Sequence, residues 1–113
     1  MKRKALIISI KGINLTKKEK ILISNEKPWG VILFKRNFKS YNQTKKLISQ
    51  IKLLSKNKNF PIIVDEEGLN VSRLKNIINH NINSKFFGDL YGSNKVFCMN
   101  IYRQYINSLS KIL

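Results

Sequence analysis

The chain has 113 residues, 22 of them basic and 6 acidic, giving a formal net charge of +16. That length holds one domain or a piece of one, well short of the ~250 residues of a complete (β/α)8 barrel. A single cysteine, Cys98, excludes an internal disulfide, and no run approaches the ~18 apolar residues of a membrane-crossing helix.

The charge admits two readings. One is an anionic partner, nucleic acid or a membrane surface. The other is compositional drift. Ile, Lys, Asn, Phe and Tyr are abundant and share A/T-rich codons, the lysines are scattered, and arginine, the residue that forks onto phosphates and bases, is scarce. The second reading is preferred, and nonspecific polyanion binding follows from either. The start is basic, but its apolar run breaks at Lys11-Gly12, too early for a secretory leader. A cytoplasmic protein with no membrane partner is expected.

Residues 5–10 are apolar and isoleucine-rich, which predicts a first buried strand ended by Gly12. Thr16-Lys17-Lys18-Glu19 has the capping-box spacing and predicts a helix start. Ile21 and Leu22 are the expected apolar contacts of that helix, and Lys27-Pro28 closes it. Residues 29–34 form the second apolar run, a second strand ending in the polar tip Lys35-Arg36-Asn37. Ser40 and Gln43 repeat the capping-box spacing. The helix predicted over residues 42–56 carries Leu47, Ile48, Ile51 and Leu54 on one face and lysines on much of the other, read as a solvated face.

Residues 61–65 predict the third strand. Strand and helix alternating with short links is the signature of a parallel sheet under right-handed crossovers. Continuous apolar strands imply that both faces are covered. Beyond Arg73, Leu74, Ile77 and Ile78 suit a turn or two of helix, and residues 79–84 a polar loop holding His80, read as solvated. Residues 86–92 read as an aromatic turn. A final helix from about residue 93 carries Phe97, Ile101, Tyr105, Leu109 and Ile112 at helical spacing, a stripe expected to be core contact, with Cys98 a small core residue beside it.

The candidate chemistry gathers at the end of the third strand. Asp65 sits at its tip, where parallel strands carry their working residues, and Arg73 lies within reach around the turn, so the two read as half of a polar binding site. Asp65 and Glu67 face the same way on an extended strand, which invites a paired-carboxylate reading like that of a retaining glycosidase, whose carboxyls stand ~5 Å apart. Metal binding by these acids lacks a His or Cys to complete it. There is no phosphate loop, dinucleotide fingerprint or Ser-His-Asp set in context.

Two words in the chain carry a resemblance. Pro28-Trp29-Gly30-Val31-Ile32-Leu33-Phe34-Lys35-Arg36-Asn37 resembles the "GxILFxRN" strand of glycoside hydrolase family 3, and Val64-Asp65-Glu66-Glu67-Gly68-Leu69-Asn70-Val71-Ser72-Arg73-Leu74 its "VDQEGGRVxRL" segment. Phe87-Gly88-Asp89-Leu90-Tyr91 is similar to the aromatic turn that follows. The resemblance is to the bacterial β-N-acetylhexosaminidases of cell-wall recycling. It implies an α/β fold, the first three or so β/α units of a TIM-type (β/α)8 barrel, with residues 1–113 a partial N-terminal domain. It implies hydrolysis of terminal β-linked N-acetylhexosamine without a cofactor, and an N-acetylglucosamine-containing glycan as partner once the rest of the barrel is supplied.

By the same resemblance Asp65 accepts from sugar hydroxyls and Arg73 contacts the sugar, while neither is the nucleophile or the acid/base. That argues against a catalytic Asp65/Glu67 pair. Leu69 stands where the family has a second glycine, and Asn70 where it has an arginine. The family's "KHFPGHG" segment, its loop histidine and its nucleophilic aspartate have no counterpart here, and His80 does not match that loop. A chain with sugar-contacting residues and no catalytic ones is expected to be inactive alone. The rival reading is a small basic module that binds nucleic acid or another polyanion.

Overall fold

The computed structural model describes residues 2–66, 72–78 and 82–112, except the Ile112 side chain. Chain contacts divide these into two compact units, one built from 2–66 and 72–78, the other from 82–112.

The first unit holds three parallel strands, β1 (Lys4–Ser9), β2 (Pro28–Leu33) and β3 (Ile62–Val64), in the spatial order β1-β2-β3. Helix α1 (Lys17–Glu26) links the first two, and α2 (Tyr41–Ser55) the second and third. Each helix begins where its cap dictates. Thr16 accepts from the Glu19 amide while the Glu19 carboxylate reaches back to the Thr16 amide, completing the box. Ser40 accepts from the Gln43 amide, but the Gln43 side chain accepts from Lys39 instead of Ser40. Lys27 and Lys56 end α1 and α2 in left-handed conformations, the usual way a helix stops before a turn into a strand.

Pairing registers Ile8 with Val31 and Val31 with Ile62, so these three share one face of the sheet. That face packs on Ile23 of α1 and Leu47 and Ile51 of α2, and Ile10, Leu15, Leu33, Phe38, Phe60 and Leu74 complete the core. The opposite face, with Ser9, Ile32 and Ile63 in register, contributes nothing to that cluster.

Among the described residues of the first unit the helices pack on one face only, where cover on both was expected. Strand order runs one way without reversal, and right-handed crossovers then lay successive helices on the same side. β1 is an edge strand and not a buried one: Leu6 and Ile7 are 48% and 47% exposed. In α1 the buried contact is Ile23, with Ile21 and Leu22 exposed.

After β3 the chain returns through Arg73 to a turn in which the Leu74 carbonyl accepts from the amides of Ile77 and Ile78. Leu74 is fully buried, and Ile77 and Ile78 pack beside it. Gly68, Glu67 and His80 lie outside the described residues, so the expected polar loop is seen only at its end, Ile82 and Asn83.

The second unit is a pair of helices, α3 (Ser84–Ser93) and α4 (Lys95–Ile112). The aromatic segment expected to be a turn is helical. Asn83 caps it through Phe86, and Phe87 packs edge-on against Tyr102, with ring centroids 5.0 Å apart. Tertiary packing here overrides the two glycines that weaken its helical propensity. Asn94 caps α4 through the Phe97 amide. The inward stripe of α4 is Cys98, Ile101, Tyr105 and Leu109, while Phe97 is exposed. Cys98 is a buried small residue, as expected, with its thiol directed to the Phe87 carbonyl.

Candidate functional site

The carboxyl ends of the strands lie at one level, because Leu33 pairs with Val64 and Ser9 with Ile32. Three chain segments leave the sheet there, after Ser9, after Leu33 and after Val64.

Asn37 ties the first two together. It is fully buried in the short 3-10 turn Lys35–Asn37. Its amide nitrogen donates to the carbonyls of Ile10 (3.2 Å) and Gly12 (2.8 Å), and its oxygen accepts from the Phe34 amide at 2.8 Å. Arg36 Nε adds a second donor to Ile10 O at 3.1 Å. Gln43 extends the tie from α2, donating to Ile13 O at 2.6 Å and to Asn37 O at 3.2 Å. A buried amide with all its hydrogen bonds made holds a loop in one conformation. The floor of the strand-end face is thus built by side chains that satisfy loop carbonyls.

Asp65 and Arg73 meet on the third segment. Arg73 Nη2 stands 3.6 Å from Asp65 Oδ2, with the two side chains 33% and 43% exposed. At that separation the groups attract as charges without sharing a hydrogen bond, so the carboxylate keeps its lone pairs and the guanidinium its terminal donors for a third party, while Arg73 Nε is buried. Half-exposed and paired in this way, they can engage a neutral, hydroxyl-rich ligand without leaving a lone charge behind.

Glu66 reaches the backbone of the same segment. Its Oε2 accepts from the backbone amides of Arg73 (2.8 Å) and Leu74 (2.9 Å). The chain at Arg73 and Leu74 is therefore anchored to the strand tip by a carboxylate. Glu67, the other half of the paired-carboxylate reading, lies outside the described residues. Among the described residues no three of His, Cys, Asp and Glu gather as a metal site, and no helix is long and apolar enough to cross a membrane.

Sequence reasoning singled out Asp65 and Arg73 but not Glu66 or Asn37 as builders of the site. Both partner backbone groups, which leave no signature of residue type at the other end of the bond.

Parallel strands in unreversed order, helices on one side, and polar side chains at the carboxyl ends define consecutive units of a TIM-type barrel. No family model matches the chain. It is 32% identical over 89 residues to a β-hexosaminidase from Thioalkalivibrio sulfidiphilus, a match that takes 79% of this chain and 25% of the relative. The structure of NagZ from Neisseria gonorrhoeae in complex with N-trifluoroacetyl-D-glucosamine superimposes with a TM-score of 0.68 at 29% identity, over 81% of this chain and 27% of that one. A glycoside hydrolase family 3 β-N-acetylglucosaminidase from a Paenibacillus species shares the fold, with a TM-score of 0.64 at 24% identity over 74% of this chain and 16% of that one.

The chain is similar in sequence to part of a β-hexosaminidase and in fold to part of NagZ. It spans about a quarter of the length of the curated relative it matches.

Proposed function

We propose that the chain provides the sugar-contacting corner of a β-N-acetylhexosaminidase site, one that hydrolyses terminal β-linked N-acetylhexosamine, as in cell-wall fragments, when the remaining strands of the barrel are supplied. Residues 1–113 are read as one incomplete domain of that barrel. The observation that carries the proposal is the Asp65–Arg73 pair at the tip of β3, within a segment that resembles the family's word at both positions. Asp65 presents acceptors and Arg73 donors to sugar hydroxyls, each neutralising the other's charge. Nucleophile and acid/base have no counterpart in this chain, so the corner binds and does not cleave.

The test is a titration of the purified chain with N-acetylglucosamine, followed by NMR, together with an assay on an aryl N-acetylglucosaminide. Weak binding that disappears in Asp65→Ala and in Arg73→Ala is expected. Both variants should melt close to the wild type, because an exposed ion pair contributes at most ~1 kcal/mol. No turnover is expected. Turnover that survives purification and is lost in Asp65→Ala would overturn the binding-only role. Absence of sugar binding by the wild-type chain would overturn the sugar site.

A further inference from the structure

We infer that Glu66 is the positioning residue that holds Arg73 against Asp65. The inference rests on the sugar-site reading for its functional consequence, and on geometry for the rest.

Arg73 has no other described tie of its backbone to the strand it serves. Its amide and that of Leu74 both donate to Glu66 Oε2, at 2.8 and 2.9 Å. Glu66 itself directly follows Asp65 at the end of β3, so one carboxylate connects the strand tip to the returning chain. The returning chain is held at a second point by Leu74, whose side chain is fully buried in the core and whose carbonyl accepts from Ile77 and Ile78. Leu74 therefore fixes where the turn sits. The two amides on Glu66 fix how it is rotated, and the rotation decides whether the Arg73 side chain leaves toward Asp65 or away from it.

A carboxylate suits this task because charge-assisted bonds to backbone amides are stronger than neutral ones. A glutamine keeps one carbonyl oxygen in the same place and can accept both amides, more weakly. An alanine accepts neither, and an aspartate, one methylene shorter, reaches them only with a shift of the backbone. These differences separate positioning from generic support of the fold.

The experiment uses the full chain with Glu66→Ala, Glu66→Gln and the milder Glu66→Asp, in case the alanine variant does not fold. Amide hydrogen exchange is read at Arg73 and Leu74. The Arg73 Nε–H signal is read with and without Asp65→Asn. N-acetylglucosamine binding is titrated in parallel.

In Glu66→Ala, exchange at the two amides should quicken about tenfold or more, with Glu66→Asp intermediate and Glu66→Gln close to wild type. Asp65→Asn should move the Arg73 signal in the wild-type and glutamine backgrounds and leave it unmoved in the alanine background. Sugar affinity should fall about tenfold in Glu66→Ala and largely recover in Glu66→Gln, since a lost acceptor, which glutamine keeps, is worth about that much. Unchanged exchange at Arg73 and Leu74, or an Arg73 signal that still responds to Asp65→Asn in Glu66→Ala, would overturn the inference. If the wild-type chain binds no N-acetylglucosamine, the sugar reading fails by itself, and the exchange and coupling measurements still decide the role of Glu66.

Discussion

Gly30 and Pro61 approach so closely that a β-carbon on Gly30 would stand 3.0 Å from the Pro61 carbonyl oxygen and 3.2 Å from its Cβ. The same carbonyl accepts the Val31 amide at 3.0 Å, so β3 enters the sheet across a residue that has no side chain. Gly30→Ala is expected to push Pro61 outward, stretch that hydrogen bond and cost about 1–3 kcal/mol, as overpacking does. A denaturant melt checks it. An unchanged midpoint would mean that the Pro61 segment yields freely.

Asn37 should tolerate neither truncation nor charge. Asn37→Ala leaves the Phe34 amide and the Gly12 carbonyl without their partner, while Ile10 O keeps Arg36. The expected loss is about 2 kcal/mol or more, the cost of stranding buried polar groups. Asn37→Asp still accepts from Phe34 but turns an oxygen toward two carbonyls, so it should be at least as damaging as alanine. Thermal melts of both variants settle the order, and an aspartate close to wild type would contradict the assigned amide orientation.

Glu19 gives the capping box of α1 a pH dependence. Burial raises its carboxyl. The amides of Thr16 and Lys11, the Thr16 hydroxyl and the Lys11 charge outweigh this and hold it below its ordinary 4.5. A depressed folded value means that the charged form is the one stabilised. The contribution is complete above the unfolded carboxyl range and is lost as pH falls through the folded value. Thr16→Ala should cost about 1 kcal/mol at neutral pH. The stability gap between wild type and Glu19→Gln should close as pH falls through the ordinary carboxylate range and below it. A gap that persists in acid would show that charge is not what the box uses.

The isolated chain should associate with itself. Among the described residues β1 pairs only with β2, and it carries the half-exposed Leu6 and Ile7 with no charge or proline in mid-strand to deter a second strand. The +16 charge opposes association, but salt near 0.15 M screens it beyond ~8 Å. Sizing at that salt should show dimers or larger species, and Ile7→Lys should shift them toward monomer. A sharp wild-type monomer peak with a cooperative melt would mean that the edge is covered.

Local signals in the chain were enough for the elements of the first unit. Three apolar runs, two capping residues at Thr16 and Ser40, and the Leu47–Ile51 face of α2 specify strands and helices through short-range physics: periodicity, propensity and amide capping. The same locality made Asp65 legible, since an acid at the end of an apolar run lies at a strand tip whatever surrounds it. It failed where the deciding contacts are distant in sequence. Residues 86–92 read as an aromatic turn, yet Phe87 packs on Tyr102 and Asn83 caps the segment as a helix.

The residues themselves therefore determined the strand–helix alternation, the caps, the resemblance to family 3 and the presence of a carboxylate and a guanidinium around one turn. Tertiary structure decided which side of the sheet is covered, because that depends on strand order and crossover hand together, and so left β1 an exposed edge. It also brought Asn37 and Glu66 onto backbone groups at the strand-end face. Their partners are backbone carbonyls and amides, identical at every position in a sequence and distinguishable only once the chain has brought them within 3 Å or so of a side chain.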